Sequence, residues 1–189
     1  CKGDQYMKTR IMKILLSLFL IVGLITNDYS LLKKMVNAQS TLLDEMSEIV
    51  FVETGANHTM AIDINNVLWA WGQNWDGQLG NGTNSNYYST PIKVMENVKS
   101  VSTSIGSAAY GVHTMAIDTN NVLWAWGSNG FGQLGNGTTT DHYTPIQVME
   151  DVVFVSVGSL QTMAIKSNGD LLAWGNNWYG ALGDGTTNH

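Results

Sequence analysis

From residue 46 onward, apolar residues come in bursts of four to seven positions, each closed by Gly, Asn or Asp. Bursts this short and this rich in β-branched and aromatic residues predict strands, and no stretch between 45 and 189 predicts a helix. Two bursts stand out, "TMAIDI" (59–64) and "VLWAWG" (67–72), separated by Asn65 and Asn66. Asn tolerates positive φ, which a two-residue hairpin turn requires, so the pair predicts a β-hairpin. Within "VLWAWG", Trp69 and Trp71 fall on one side of the strand and Leu68 and Ala70 on the other. Both sides are apolar, as in a sheet covered on both faces.

The pattern then repeats. "MSEIVFVETGANHTMAIDINNVLWAWG" begins at Met46, "MENVKSV" with "HTMAIDTNNVLWAWG" at Met95, and "MEDVVFVSVGSLQTMAIKSNGDLLAWG" at Met149. From that Met to the Gly of the closing Trp-Gly pair is 26, 32 and 26 residues, so the middle copy holds a six-residue insertion within 102–112. Each copy has a run such as "VVFVSVG" (152–158) before its hairpin. After a glycine-rich loop, the first two copies have "TPIKV" or "TPIQV", where Pro91 and Pro145 suit a first strand residue or an outer edge. Four strands per copy at a period near 50 residues predict blades of a β-propeller. The expected organisation is 1–38 apart, 39–45 a linker, and repeats at 46–94, 95–148 and 149–189, the last stopping before its fourth strand.

Residues 1–38 read as different material. "MKTRIMKILLSLFLIVGLITNDYS" starts basic at Met7 and continues through twelve uncharged residues, Ile14 to Ile25. That layout predicts an N-terminal apolar helix acting as a signal peptide, with a small-residue site after Ala38, or as an uncleaved membrane anchor. The first six residues then precede a start at Met7 or Met12. On this reading the protein is secreted or held at the cell surface, and any membrane contact is through this segment alone.

Charge narrows the function. Residues 51–189 carry ten acidic residues against Lys93, Lys99 and Lys166, a formal charge of −7, which disfavours nucleic acid as a partner. The only cysteine is Cys1, so a disulfide framework and an internal catalytic thiol are excluded.

"WGQNWDGQLGNGT" and "WGSNGFGQLGNGT", each preceded by "HTMAI", resemble the regulator of chromosome condensation (RCC1) repeat, a blade of a usually seven-bladed β-propeller. The resemblance covers 46–189 and implies an incomplete, three-repeat, bacterial-type exported propeller. It also implies repeat-frame roles for His58 and His113, for Trp71, Trp126 and Trp174, and for Gly72, Gly127 and Gly175, although Gln161 replaces the third histidine. The family includes an exchange factor for the small GTPase Ran and an exported inhibitor of β-lactamases, so the fold does not fix a target.

Candidate chemistry is sparse. "GFGQLG" (130–135) matches a dinucleotide fingerprint literally, but turn and strand signals follow it where a helix is required. The glycine loops offer one carboxylate or none in most copies, too few for calcium, and His58 and His113 fall on different blades. No metal, cofactor or enzymatic activity is expected, and each histidine is expected to fasten neighbouring backbone. What varies is the loop tip. Copies one and two agree at twelve of fifteen positions over 69–83 and 124–138, differing at 73, 75 and 76. Trp75, Asp76, Phe131, Trp178 and Tyr179 occupy those tips, with Tyr87, Tyr88 and Tyr143 close by in sequence. Aromatic side chains on a rigid scaffold suit binding, to another protein first and to a glycan as the alternative.

Overall fold

The computed structural model describes residue 46, residues 48–106 and residues 111–188. The chain divides into two compact units, Cys1–Ser47 and Glu48–His189, and the second carries every described strand. Three antiparallel sheets follow one another. The first is β1 (Ile49–Thr54), β2 (His58–Asp63), β3 (Leu68–Gln73) and β4 (Tyr87–Met95). The second is β5 (Val98–Thr103), β6 (His113–Asp118), β7 (Leu123–Gly127) and β8 (His142–Met149). The third has β9 (Val152–Val157), β10 (Gln161–Lys166) and β11 (Leu171–Gly175). In every sheet neighbours in sequence are neighbours in space, the up-and-down meander of a propeller blade.

One part of the expected fold class is corrected. The described residues are all-β with no helix, so the N-terminal apolar helix is not part of the observed fold, and residues 1–38 lie outside the described residues. Among the described residues no helix is long and apolar enough to cross a membrane.

The hairpin turn also differs from the two-residue form. Asp63 N donates to Val67 O and Asn66 N to Asp63 O, leaving Ile64, Asn65 and Asn66 as a three-residue loop. Only the last of these takes positive φ, 61° at Asn66, and its counterparts Asn121 and Gly169 do the same. Asp63 makes this possible: one carboxylate oxygen accepts from Asn65 N and Val67 N, the other from Trp69 Nε1 at 3.1 Å. Asp118 repeats the arrangement with Asn120, Val122 and Trp124. In the third copy Lys166 replaces the aspartate and Leu172 the tryptophan, so donor and acceptor are lost together. A buried indole N–H without its acceptor would be costly, which accounts for the joint change.

Pro91 and Pro145 lie within β4 and β8, which begin earlier than the "TPIxV" motif suggests. Both strands are outermost in their sheets, where a missing N–H removes no ladder bond, and pairing with β3 and β7 shifts register beside each proline. The middle copy's extra residues lengthen the β5–β6 connection, 104–112, where the first copy has only Gly55–Asn57.

Both faces of the second sheet are covered. Towards the first sheet, Val98, Val101, Ala116 and Trp126 pack on Met60, Ile62, Leu68, Ala70 and Leu79. Towards the third, Met115, Ile117, Leu123, Ala125 and Leu134 pack on Val152, Val155 and Ala164, with Trp174 at the margin. Trp126 is fully enclosed, and removing about 200 Å² of such a side chain from water contributes roughly 5 kcal/mol before ordering costs.

Candidate functional site

The antiparallel order places the β1–β2, β5–β6 and β9–β10 connections at the same end of the blades as the long loops that follow β3, β7 and β11. The hairpins 64–66, 119–121 and 167–169 and the links between blades lie at the opposite end. The sequence-predicted tips therefore gather at one end.

Each long loop is built around a buried asparagine. Asn74 Oδ1 accepts from Leu79 N at 3.0 Å while its Nδ2 donates to Thr83 O and Asn81 Oδ1. Asn129 and Asn177 do the same towards Leu134 N and Leu182 N. Sequence reasoning missed these residues, although the asparagine recurs in all three copies two places after the Trp-Gly pair.

The loop then reaches across to the next blade. Gln78 O accepts from Trp126 Nε1 at 2.8 Å and Thr114 Oγ1 at 3.0 Å; Gln133 O accepts from Trp174 Nε1 and Thr162 Oγ1, both at 2.9 Å. Gly80 and Gly135 lie flat on those indoles, where a Cβ would stand 2.8 and 2.6 Å from Nε1. The recurring half of the loop is a latch between blades, and Leu79 and Leu134 beneath it are fully buried.

The variable half lies at the tip of each loop. Trp75 is 63% exposed, Trp178 54% and Tyr179 94%, and Tyr87 at the start of β4 is 76% exposed. Phe131 is half-buried and meets Trp178 edge to face with ring centroids 5.1 Å apart, so the tips of the second and third loops touch. Tyr143 instead lies over Gly77, and its carbonyl accepts from Gly82 N at 2.7 Å, which makes it part of the contact between first and second blades. Tyr88 is half-buried against the core. Asp76 is half-buried with Oδ2 unpartnered; burial first, and then the neighbouring Asp141, raise its pKa.

His58 and His113 lie apart, one to a blade. His58 Nε2 is 2.6 Å from Thr103 Oγ1 and His113 Nε2 2.9 Å from Thr162 Oγ1, so each fastens a side chain of the following blade rather than backbone. Burial depresses their pKa values to about 4 and about 3. Gly72 and Gly127 close against Asn57 O and Val112 O, and Gly175 against Leu160 O. Trp71 is half-buried, where its counterparts Trp126 and Trp174 reach a preceding loop. Residues 130–135 pass through turns, not into a helix. Among the described residues no three His, Cys, Asp or Glu side chains come together as metal ligands would.

Comparison with known proteins agrees with this architecture. The regulator of chromosome condensation (RCC1) repeat model matches residues 65–117 and 120–165, and a second model of the same repeat matches 49–78. The ultraviolet-B receptor UVR8 of Arabidopsis thaliana is 28% identical over 117 residues, 59% of this chain and 26% of the receptor. The human E3 ubiquitin-protein ligase HERC2 is 33% identical over 100 residues, 51% of this chain and 2% of the ligase. Among solved structures, Prp20p of Saccharomyces cerevisiae, described with its binding to Gsp1p and histones, superposes with a TM-score of 0.63 at 19% identity, over 75% of this chain and 36% of Prp20p. Human WBSCR16 gives 0.61 at 22% identity, over 69% of this chain and 34% of its own. The chain thus spans about a third or less of the length of these relatives.

These findings correct the expected address. The curated relatives are an ultraviolet-B receptor and E3 ubiquitin-protein ligases, and residues 1–38, on which the signal was read, lie outside the described residues. The secreted or cell-surface reading, with its signal peptide, is therefore withdrawn. The partners that these descriptions name are proteins rather than glycans or membranes. RCC1 repeat domains are generally non-catalytic binding modules, which agrees with the expectation that these repeats are not enzymatic. With the repeat model covering more than half of its residues, the chain belongs to the regulator of chromosome condensation repeat family.

Proposed function

We propose that this chain is a non-catalytic protein-binding module that engages its partner through the loop end of the blades. The observation that carries the reading is the gathering of four exposed aromatic rings, Trp75, Tyr87, Trp178 and Tyr179, at one end of the blades, on a first loop fixed to the next blade through Gln78 O and a third loop braced internally by Asn177. Large rings held in water without a core to fill are the side chains that dominate binding energy at protein interfaces. A rigid frame lowers the ordering cost of using them. Asp76, Phe131, Tyr88 and Tyr143 support this surface from below, the last two mainly by packing.

The test is affinity capture with cross-linking from extracts of the source, comparing the wild-type chain with Trp75→Ala/Trp178→Ala/Tyr179→Ala. All three rings are exposed, so the variant is expected to keep its thermal midpoint and to lose the captured protein. An unchanged set of partners with an unchanged midpoint would show that binding lies elsewhere.

A further inference from the structure

Both ends are acidic, but among the described residues only the hairpin end also carries lysines. The loops of the aromatic end contain Asp76, Asp141 and Asp184 and neither Lys nor Arg. All three lysines of the described residues lie towards the other end. Lys93 pairs with Glu96 at 2.6 Å, Lys99 donates to Asn121 Oδ1 of a hairpin at 2.9 Å, and Lys166 closes the β10–β11 turn through its backbone. Among the described residues the aromatic end therefore has carboxylates with no lysine or arginine beside them to neutralise them.

The carboxylates sit among the rings. Asp76 follows Trp75 directly, and Asp141 anchors the second loop through Asn129 N at 2.7 Å, one residue before β8. Asp184 lies in the third loop, downstream of Trp178 and Tyr179; hydrogen bonds from Thr186 hold its pKa below the usual carboxylate value, so it remains ionised. Asp76 and Asp141 repel one another; Oδ2 of Asp76 is enclosed and finds no donor among the described residues, whereas Asp141 is exposed.

Resting on the reading of this end as a protein-binding surface, we infer that its occupant is a cationic, arginine-rich segment of another protein, with guanidinium groups stacked on Trp75, Trp178 and Tyr179 and paired with the exposed Asp141. Arginine is the side chain that meets both features at once. Its planar cation is attracted to the face of an aromatic ring and its N–H fork fits a carboxylate. An acidic or purely apolar segment would leave these carboxylates facing like charge or stripped of water, both unfavourable.

The experiment is a titration of the full chain, followed by tryptophan fluorescence and calorimetry, with three synthetic probes. These are an arginine–glycine peptide, the same peptide with citrulline for arginine, and an aspartate–glycine peptide. The arginine peptide is expected to bind, to weaken with added salt, and to bind about tenfold more tightly than the citrulline peptide, which keeps the shape without the charge. Tyr179→Ala, at a fully exposed position, and Asp141→Asn are each expected to weaken it roughly two- to tenfold. Equal binding of arginine and citrulline peptides, no binding of either, or indifference to both substitutions would overturn the inference. If the aromatic variant still loses its protein partner while the arginine peptide does not bind, this inference fails and the binding surface stands; if the partner set is also unchanged, both fail.

Discussion

At His113 the imidazole is fully enclosed, with Nε2 on Thr162 and Nδ1 unpartnered. Burial keeps it neutral, with a pKa of about 3, and His58 at about 4. An unfolded histidine titrates near pH ~6.5, so as pH falls the unfolded chain takes up protons before the folded one. The contribution to stability is complete above that pH and is lost as pH drops from about 6.5 towards about 4 for His58 and about 3 for His113. Denaturant unfolding is expected to show a loss of roughly 2 kcal/mol per histidine between about pH 6.5 and 5. His58→Gln/His113→Gln, which gives both blades the residue that the third copy carries at Gln161, should flatten that slope. A slope unchanged by the double substitution would mean that these histidines are not the groups taking up protons. The sequence shows that the histidines recur but not what they hold. Thr103 and Thr162 belong to different strands and are not equivalent in the repeat, and where the second copy has Thr103 the third has Val157. The receiving hydroxyl changes from one blade to the next, so self-alignment could not reveal it.

A loop that reads in sequence as a turn proves to be a latch, and glycine substitutions separate the two roles. Gly135 and Gly137 both have φ of 75°, so alanine at either meets the same left-handed strain, about 1–2 kcal/mol. A Cβ at Gly137 enters open space, whereas one at Gly135 would lie 2.6 Å from Trp174 Nε1 and force the indole off Gln133 O. Gly135→Ala is therefore expected to cost a further ~1–3 kcal/mol over Gly137→Ala, measured by chemical denaturation. Equal costs would reduce the loop to a turn. The strands, their order and the two-sided burial of "VLWAWG" are legible in the sequence because period and composition dictate them locally. The latch is not, because its acceptor is the backbone carbonyl of a glutamine, an atom every residue possesses. Only the recurrence of Asn, Gln and Leu beside the glycines hinted that the loop does more than reverse the chain, and the third copy, with Ala181 at the glutamine position, weakens even that hint.

The three blades are near copies in sequence but not in environment, and this is where the repeat stops predicting energetics. Leu68, Leu123 and Leu171 are the same residue of the same strand, and the first two are fully buried while the third is 68% exposed. Ile62 and Ile117 are likewise enclosed and Ile165 is 36% exposed. At the other end of the array, Val52 is 52% exposed where its counterparts Val101 and Val155 are buried. What buries a blade is its neighbour, as expected of a stack in which each unit contributes one face to each interface. Truncation of the three leucines should therefore separate by position rather than by identity. Leu123→Ala, in a sheet covered on both faces, is expected to cost about 2–5 kcal/mol, and Leu68→Ala a similar amount. Leu171→Ala should cost less than about 1 kcal/mol, because that side chain already faces water and leaves no cavity. Urea unfolding of the three variants under one condition decides the matter. Equal costs would require that the third blade's open face be covered in solution as fully as the faces between blades, and a concentration-dependent midpoint for the wild-type chain would then identify a second copy as the cover.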